Sequence, residues 1–74
     1  MSMNDSARKV YADQVEDIID KLGLQQTVEL ISDICYEKAN HIQENWQDEN
    51  TAHAWDFAGA YLFKACLSTA IKSL

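Results

Sequence analysis

The scarcity of helix-breaking residues is the feature that most constrains how this chain can fold. It has no proline, and its two glycines lie far apart, at Gly23 and Gly59. Proline and glycine are the residues that most strongly interrupt helices. Apolar side chains recur at steps of three and four residues through most of the chain, which is the period of an α-helix with a buried face. The sequence therefore predicts an all-α fold with long helices and short connections.

Three helices are predicted within a single domain that covers residues 1–74. They extend over about residues 6–22, 24–46 and 51–73. Gly23 suits the end of the first helix, because glycine tolerates the left-handed backbone that often follows a helix. The polar segment 47–50 is expected to form the second turn, with Asn50 or Thr51 as the cap of the third helix.

The third predicted helix has apolar side chains on three sides, which two neighbouring helices in a chain of this length cannot cover. One of its rows consists of Phe63, Leu67, Ala70 and Leu74. We expect this row to pack against a second subunit or a partner protein; a loosely covered last helix with scattered exposed apolar groups is the alternative. The predicted architecture is an antiparallel three-helix bundle, or a helical hairpin with an added helix, that packs as a homodimer through the third helix. Its expected core consists of Val15, Ile18, Leu22, Val28, Ile31, Cys35, Ile42, Trp46, Trp55, Leu62 and Cys66.

The charge of the chain argues against direct binding to nucleic acid. The formal net charge is −6, from 6 basic and 12 acidic residues, and residues 24–50 carry one basic and six acidic groups, a net −5. Phosphate backbones attract the opposite sign. An acidic stripe along the second helix is the predicted partner-facing surface; it consists of Glu29, Asp33, Glu37 and Glu44. Such a stripe can imitate a nucleic-acid backbone, and it is otherwise an ordinary solvated face.

The sequence contains no pattern typical of a targeting or membrane-spanning segment. Its first residues lack the basic region and apolar stretch of a secretory signal, and no run of about 18 apolar residues occurs. The two cysteines, Cys35 and Cys66, fall on apolar helix faces and are too few for a disulfide framework. A cytoplasmic location is therefore expected, with both thiols reduced and packed as small apolar groups.

The nearest approach to a metal-binding or catalytic pattern lies on the second helix. Glu37, His41 and Glu44 are spaced by four and three residues, so that they share one side of a helix. Metal sites in helical bundles use inward Glu and Glu-x-x-His groups from several helices. Here the order is His-x-x-Glu, and only His53 and Asp56 on the third helix repeat a three-residue spacing. We therefore expect solvated charges, with no metal, no cofactor and no enzymatic activity.

By elimination, the leading hypothesis is a small non-enzymatic interaction module. It would be a regulator or accessory subunit that binds itself or another protein through the apolar third helix. The first alternative is an acidic inhibitor that mimics nucleic acid and blocks a nucleic-acid-binding protein. The second is a helical-bundle protein that holds a metal or cofactor, with Glu37 or His41 turned inward. Trp46 and Trp55, on either side of the acidic turn, are expected to lock the helical hairpin or otherwise to present a binding edge.

Overall fold

A computed structural model describes residues 4–74, which are almost entirely helical and contain no β-strand. The predicted all-α class is therefore confirmed. Residues 1–3, which the predicted domain 1–74 includes, lie outside the described residues. The described part of the chain forms four helices, α1 (Asp5–Leu22), α2 (Leu24–Trp46), α3 (Glu49–Cys66) and the short α4 (Thr69–Lys72). None of these four is long and apolar enough to cross a membrane.

A single residue, Gly23, connects α1 to α2. At the start of α1, the Asn4 side chain accepts a hydrogen bond from the Ala7 amide at 2.8 Å. At its end, the Gly23 amide donates to the Ile19 carbonyl oxygen at 2.7 Å. Gly23 has φ 81° and ψ 158°, a backbone conformation that is essentially restricted to glycine. The glycine therefore makes a sharp corner, and α2 begins at the very next residue.

This corner carries α1 away from the other long helices. Among the described residues, α1 contacts α2 but makes no contact with α3. The chain measures 36 × 33 × 19 Å, and α2 alone accounts for about 34 Å of length at 1.5 Å per residue. The second dimension, 33 Å, is explained if α1 points away from the axis of the α2–α3 hairpin. A single chain is thus a helical hairpin with an added helix, rather than three mutually packed helices.

The hairpin of α2 and α3 is held by a seam of small buried side chains. The seam consists of Ser32, Cys35 and Ala39 on α2, and Ala52, Gly59 and Cys66 on α3. Their spacing of three, four or seven residues keeps each row facing the other helix. The fully buried Ser32 hydroxyl donates to the Gly59 carbonyl oxygen at 2.7 Å. Small side chains at the seam therefore let the two backbones approach closely.

The predicted third helix, 51–73, is wrong at both ends. It begins earlier because Asp48, rather than Asn50 or Thr51, is its cap: the two carboxylate oxygens accept from the Thr51 amide at 3.2 Å and from the Thr51 hydroxyl at 2.7 Å. It stops at Cys66, and α4 starts afresh two residues after Leu67. The extended backbone of Ser68 breaks the helix, and its hydroxyl caps α4 by accepting from the Ile71 amide at 3.4 Å.

The predicted core is only partly correct. Cys35 and Cys66 are buried as predicted, and four further members are half-buried: Val28, Ile42, Trp55 and Leu62. Five members are exposed instead: Val15, Ile18, Leu22, Ile31 and Trp46. The reason is that small residues form the seam, so that larger apolar side chains lie on its flanks, and α1 is not placed to cover them. Trp46, with 73% of its surface exposed, does not lock the hairpin.

Candidate interaction surfaces

An apolar groove runs along one side of the hairpin, next to the seam. Its α2 wall is the row Ile31, Ile34 and Lys38, which precedes each seam residue of α2 by one position. Its α3 wall is the row Trp55, Ala58, Leu62 and Ala65, at steps of three, four and three residues. The Lys38 ammonium lies 5.4 Å from the centre of the Trp55 ring, which shows that the two rows border the same side of the hairpin. We call these seven residues the groove.

The groove is open in the single chain. Ile31 and Ile34 each leave 41% of their surface exposed, and the side chains of the α3 wall are half-buried. On the opposite side of the hairpin, the Tyr36 ring packs against Gly59 and covers the seam. The groove therefore has the composition of a helix-packing surface, with branched aliphatic and small residues. Among residues 4–74, no third long helix packs against both of its walls.

The second apolar surface is a stripe on α1. It consists of Tyr11, Val15, Ile18 and Leu22, at steps of four, three and four residues, and we call it the α1 stripe. These side chains are 38% to 53% exposed, and no residue of α1 is buried. The acidic residues Asp13, Glu16, Asp17 and Asp20 lie on the other side of this helix. An amphipathic helix with an uncovered apolar face is typical of an element that packs against something else.

The four residues predicted as an interface are spread over two helices and their link. Phe63 lies in the last turn of α3, Leu67 caps that helix, Ala70 belongs to α4 and Leu74 ends the chain. All four are exposed. Because the helix breaks after Cys66, they do not form the single helical row that the spacing indicated. They lie instead along the last turn of α3, its C-cap, α4 and the final residue.

A further aromatic patch lies on the outer side of α3. Phe57 and Tyr61 are 65% and 72% exposed, and with Ala60 and Lys64 they line a shallow pocket. All four residues come from one helix, at steps of three, one and three. A pocket on one convex helix has no second wall from which polar groups converge, so it lacks the enclosure typical of a small-molecule site.

The acidic stripe lies along the solvent face of α2. Glu29, Asp33, Glu37 and Glu44 are all exposed. The salt bridge recorded among residues 4–74 joins Lys21 to Asp17 at 3.0 Å on α1, so the stripe carboxylates have no cationic partner in the described part of the chain. The stripe is thus a run of solvated negative charge on the side of α2 that faces away from α3.

The residues considered for metal binding do not converge. Glu37, His41 and Glu44 are exposed, as are His53 and Asp56 on α3. The His41 Nδ1 atom lies 3.1 Å from the Asn45 amide nitrogen, which also donates to the His41 carbonyl oxygen at 2.9 Å. Among residues 4–74, no group of three or more His, Cys, Asp or Glu side chains is placed to hold a metal ion.

The two thiols belong to the seam rather than to a reactive site. Cys35 and Cys66 are both free and buried. The Cys66 thiol donates to the Phe63 carbonyl oxygen at 3.0 Å, and its own carbonyl oxygen accepts from the Gln25 side-chain amide at 2.8 Å. The bond from Gln25 ties the start of α2 to the end of α3, whereas the thiol bond lies within α3. A nucleophilic cysteine needs a part-exposed, electropositive setting, and neither cysteine has the exposure.

The surface that sequence reasoning missed is the groove. The pattern assigned Ile31, Trp55 and Leu62 to a closed core. The one-residue link at Gly23 was the available signal, because it leaves too little chain for the first helix to fold back.

Comparison of the chain with protein-family models, with curated proteins and with solved structures gives no match.

Proposed function

We propose that this protein is a small non-enzymatic interaction module, a regulator or accessory subunit that acts by binding a protein through apolar helix faces. The observation that carries the proposal is the large apolar surface that the chain leaves open. Fifteen large apolar side chains among residues 4–74 are exposed, whereas the buried apolar core consists of two cysteines and two alanines. Exposed apolar patches such as the groove and the α1 stripe mark interaction sites.

The accessible surface of the chain supports the same proposal. It amounts to 5981 Å², whereas a compact monomer of 8.4 kDa is expected to expose about 4,600 Å². The surplus is roughly 1,400 Å², compared with the ~800 Å² per partner that a standard protein interface covers. The chain therefore has ample surface for a stable complex. Because its own core is small, burial of further apolar surface in a complex would add to its stability.

The end of the hairpin is one proposed contact surface. Phe63 and Leu67 are exposed there beside α4, and the lysines nearest to them, Lys64 and Lys72, make this the least acidic part of the chain. The proposed partner is a second copy of the chain, as a homodimer, or a different protein. The proposed setting is the cytoplasm, where free thiols at Cys35 and Cys66 stay reduced.

A site-specific cross-linking experiment tests this proposal. A photoreactive phenylalanine analogue replaces Phe63 in one version of the protein and Asp13, on the acidic side of α1, in the control. In the native cells, we expect a discrete cross-linked species from position 63 and none from position 13. If position 63 gives no discrete species, with itself or with another protein, the proposed contact surface is wrong.

A second candidate function is the acidic nucleic-acid mimic, favoured by the unpaired carboxylates of the acidic stripe. Glu44 lies fifteen positions after Glu29, so that the stripe extends over about 22 Å of helix. A duplex carries roughly thirteen phosphate charges over that length, whereas the stripe has four. The charge density is therefore about a third of that of a duplex, and mimicry ranks second.

Salt dependence separates the two candidates. An electrostatic mimic loses association rate steeply between low and high salt, whereas contact through apolar faces changes little. The measurement is the association rate with the captured partner at about 50 mM and 500 mM salt. A loss of tenfold or more in the association rate would favour the mimic over the apolar module. The double substitution Asp33→Asn and Glu37→Gln should then abolish this salt dependence.

A further inference from the structure

The α1 stripe and the groove are two open apolar surfaces on the same chain. We propose that a second copy of this protein covers both: the α1 stripe of each chain lies in the groove of its partner, so that two three-helix bundles form by reciprocal exchange of α1. This inference rests on the proposed interaction function and deepens it, because it names the partner and the contact residues.

The first argument is that α1 cannot reach the groove of its own chain. Two antiparallel helices are normally joined by a loop of about two to five residues, and Gly23 alone separates α1 from α2. The corner is fixed by the φ of 81° at Gly23 and by the hydrogen bond that the Gly23 amide donates to the Ile19 carbonyl oxygen. An apolar helix and the groove that fits it are thus held apart within one chain. Such short connections favour exchange between chains.

The second argument is the match between the two surfaces. α1 and α3 each contain 18 residues, about 27 Å of helix, so that α1 can follow the whole length of the α3 wall. The stripe repeats at steps of four, three and four, the spacing that packs into a groove between two helices. The acidic residues of α1 lie on its other side, so that burial of the stripe buries none of the four carboxylates Asp13, Glu16, Asp17 and Asp20.

The third argument is the amount of surface. The surplus of roughly 1,400 Å² per chain gives about 2,800 Å² for a pair, within the range of 2,000–5,000 Å² that obligate homodimers bury. Symmetry selects a second copy over a different protein. Each chain offers one stripe and one groove, and a two-fold axis closes both at once, whereas a foreign helix in the groove leaves the α1 stripe uncovered.

A complementation experiment tests the exchange. Val15→Glu damages the stripe and leaves the groove intact, whereas Ile34→Glu damages the groove and leaves the stripe intact. Each variant alone pairs a damaged surface with an intact one at both contacts, so we expect dimerisation to weaken about a hundredfold or more, because a carboxylate replaces an aliphatic side chain inside an apolar contact. In an equimolar mixture one contact joins an intact stripe to an intact groove, and dimers should return.

Light scattering across a concentration series gives the masses, with Lys9→Gln as the control. This change alters the net charge by the same amount as Val15→Glu, but on the far side of α1, and should leave the dimer unchanged. Because each variant contributes one intact surface, recovery in the mixture does not depend on either variant folding alone.

Three results would overturn the exchange: a wild type that is monomeric at every concentration, a Val15→Glu variant that stays dimeric, or a mixture in which no dimer returns. Any of these, together with a cross-link from position 63 to another protein, would leave the proposed interaction function standing. Failure of both experiments would remove both proposals.

Discussion

Replacement of Gly59 by valine tests whether the seam of small residues holds the hairpin together. A Cβ added at Gly59 meets two carbons of the Tyr36 ring at 3.1 Å and the Ser32 carbonyl oxygen at 3.2 Å. The ring can shift, but the Ser32 carbonyl belongs to the backbone of α2 and moves only with the helix. A branched side chain at this position must therefore push α2 and α3 apart.

The expected loss of stability follows from three contributions. Overpacking of a tight contact costs about 1–3 kcal/mol. Separation of the helices also breaks the buried bond from the Ser32 hydroxyl to the Gly59 carbonyl oxygen, 2.7 Å long, for about 0.5–1.5 kcal/mol. The better helix propensity of valine returns roughly 0.4 kcal/mol. Gly59→Val should therefore destabilise the protein by about 1–4 kcal/mol, and Gly59→Ala by less.

Urea unfolding followed by circular dichroism measures this loss, at one protein concentration for all variants because the proposed dimerisation would add to the apparent stability. The matched control is Ala54→Val, on the same helix at an exposed position, where only helix propensity changes and the cost is about 0.6 kcal/mol. Equal stabilities for Gly59→Val and Ala54→Val would refute the close approach of α2 and α3 at Gly59.

Three further predictions concern single positions. Gly23→Ala should cost about 1–3 kcal/mol in unfolding experiments, wholly from backbone strain, since an added Cβ meets no described atom within 4 Å; an unchanged midpoint would mean that the corner has another conformation. The Thr51 hydroxyl and amide lower the pKa of Asp48 below the usual 3.8, so its contribution to stability is complete above that value and is lost as the pH falls through the lowered pKa; Asp48→Asn should flatten the acid side of the melting-temperature profile, and a profile identical to wild type would refute the assignment. In single-tryptophan variants, acrylamide should quench Trp46 more strongly than Trp55, which lies beneath Lys38; equal quenching would contradict their different exposure.

The sequence predicted the helices better than it predicted their packing. A period of three and four residues is a local property, and it placed α1 and α2 on the segments where they occur. The packing depends on which of several apolar rows meets the neighbouring helix. The rows Ser32–Cys35–Ala39 and Ile31–Ile34–Lys38 are adjacent on α2, and hydrophobicity alone favours the second. The hairpin uses the first, because small side chains permit close backbones and a buried hydrogen bond to Gly59.

The break after Cys66 was beyond the reach of the apolar pattern for a different reason. Leu67, Ala70 and Leu74 keep helical spacing across it, so the pattern continues although the helix does not. A serine ends the helix by adopting an extended backbone and capping the next turn with its hydroxyl, and serine occurs in helix interiors as well as at caps. The acidic cap Asp48 was missed similarly, since Asn50 is an equally good cap residue and Thr51 is also a common one.

Under the proposed exchange, the length of the link at Gly23 decides whether α1 packs in the groove of its own chain or in that of a partner. Insertion of about four flexible residues after Gly23 gives the length of an ordinary helical hairpin loop, and α1 can then reach the groove of its own chain. We expect this insertion to convert the proposed dimer into a closed monomer, seen as a halved mass in light scattering. The same insertion between Gln47 and Asp48, in the turn of the α2–α3 hairpin, should leave the dimer intact. A dimer of unchanged affinity after lengthening at Gly23 would show that the corner does not hold α1 away from the groove, and the physical basis of the exchange would be lost.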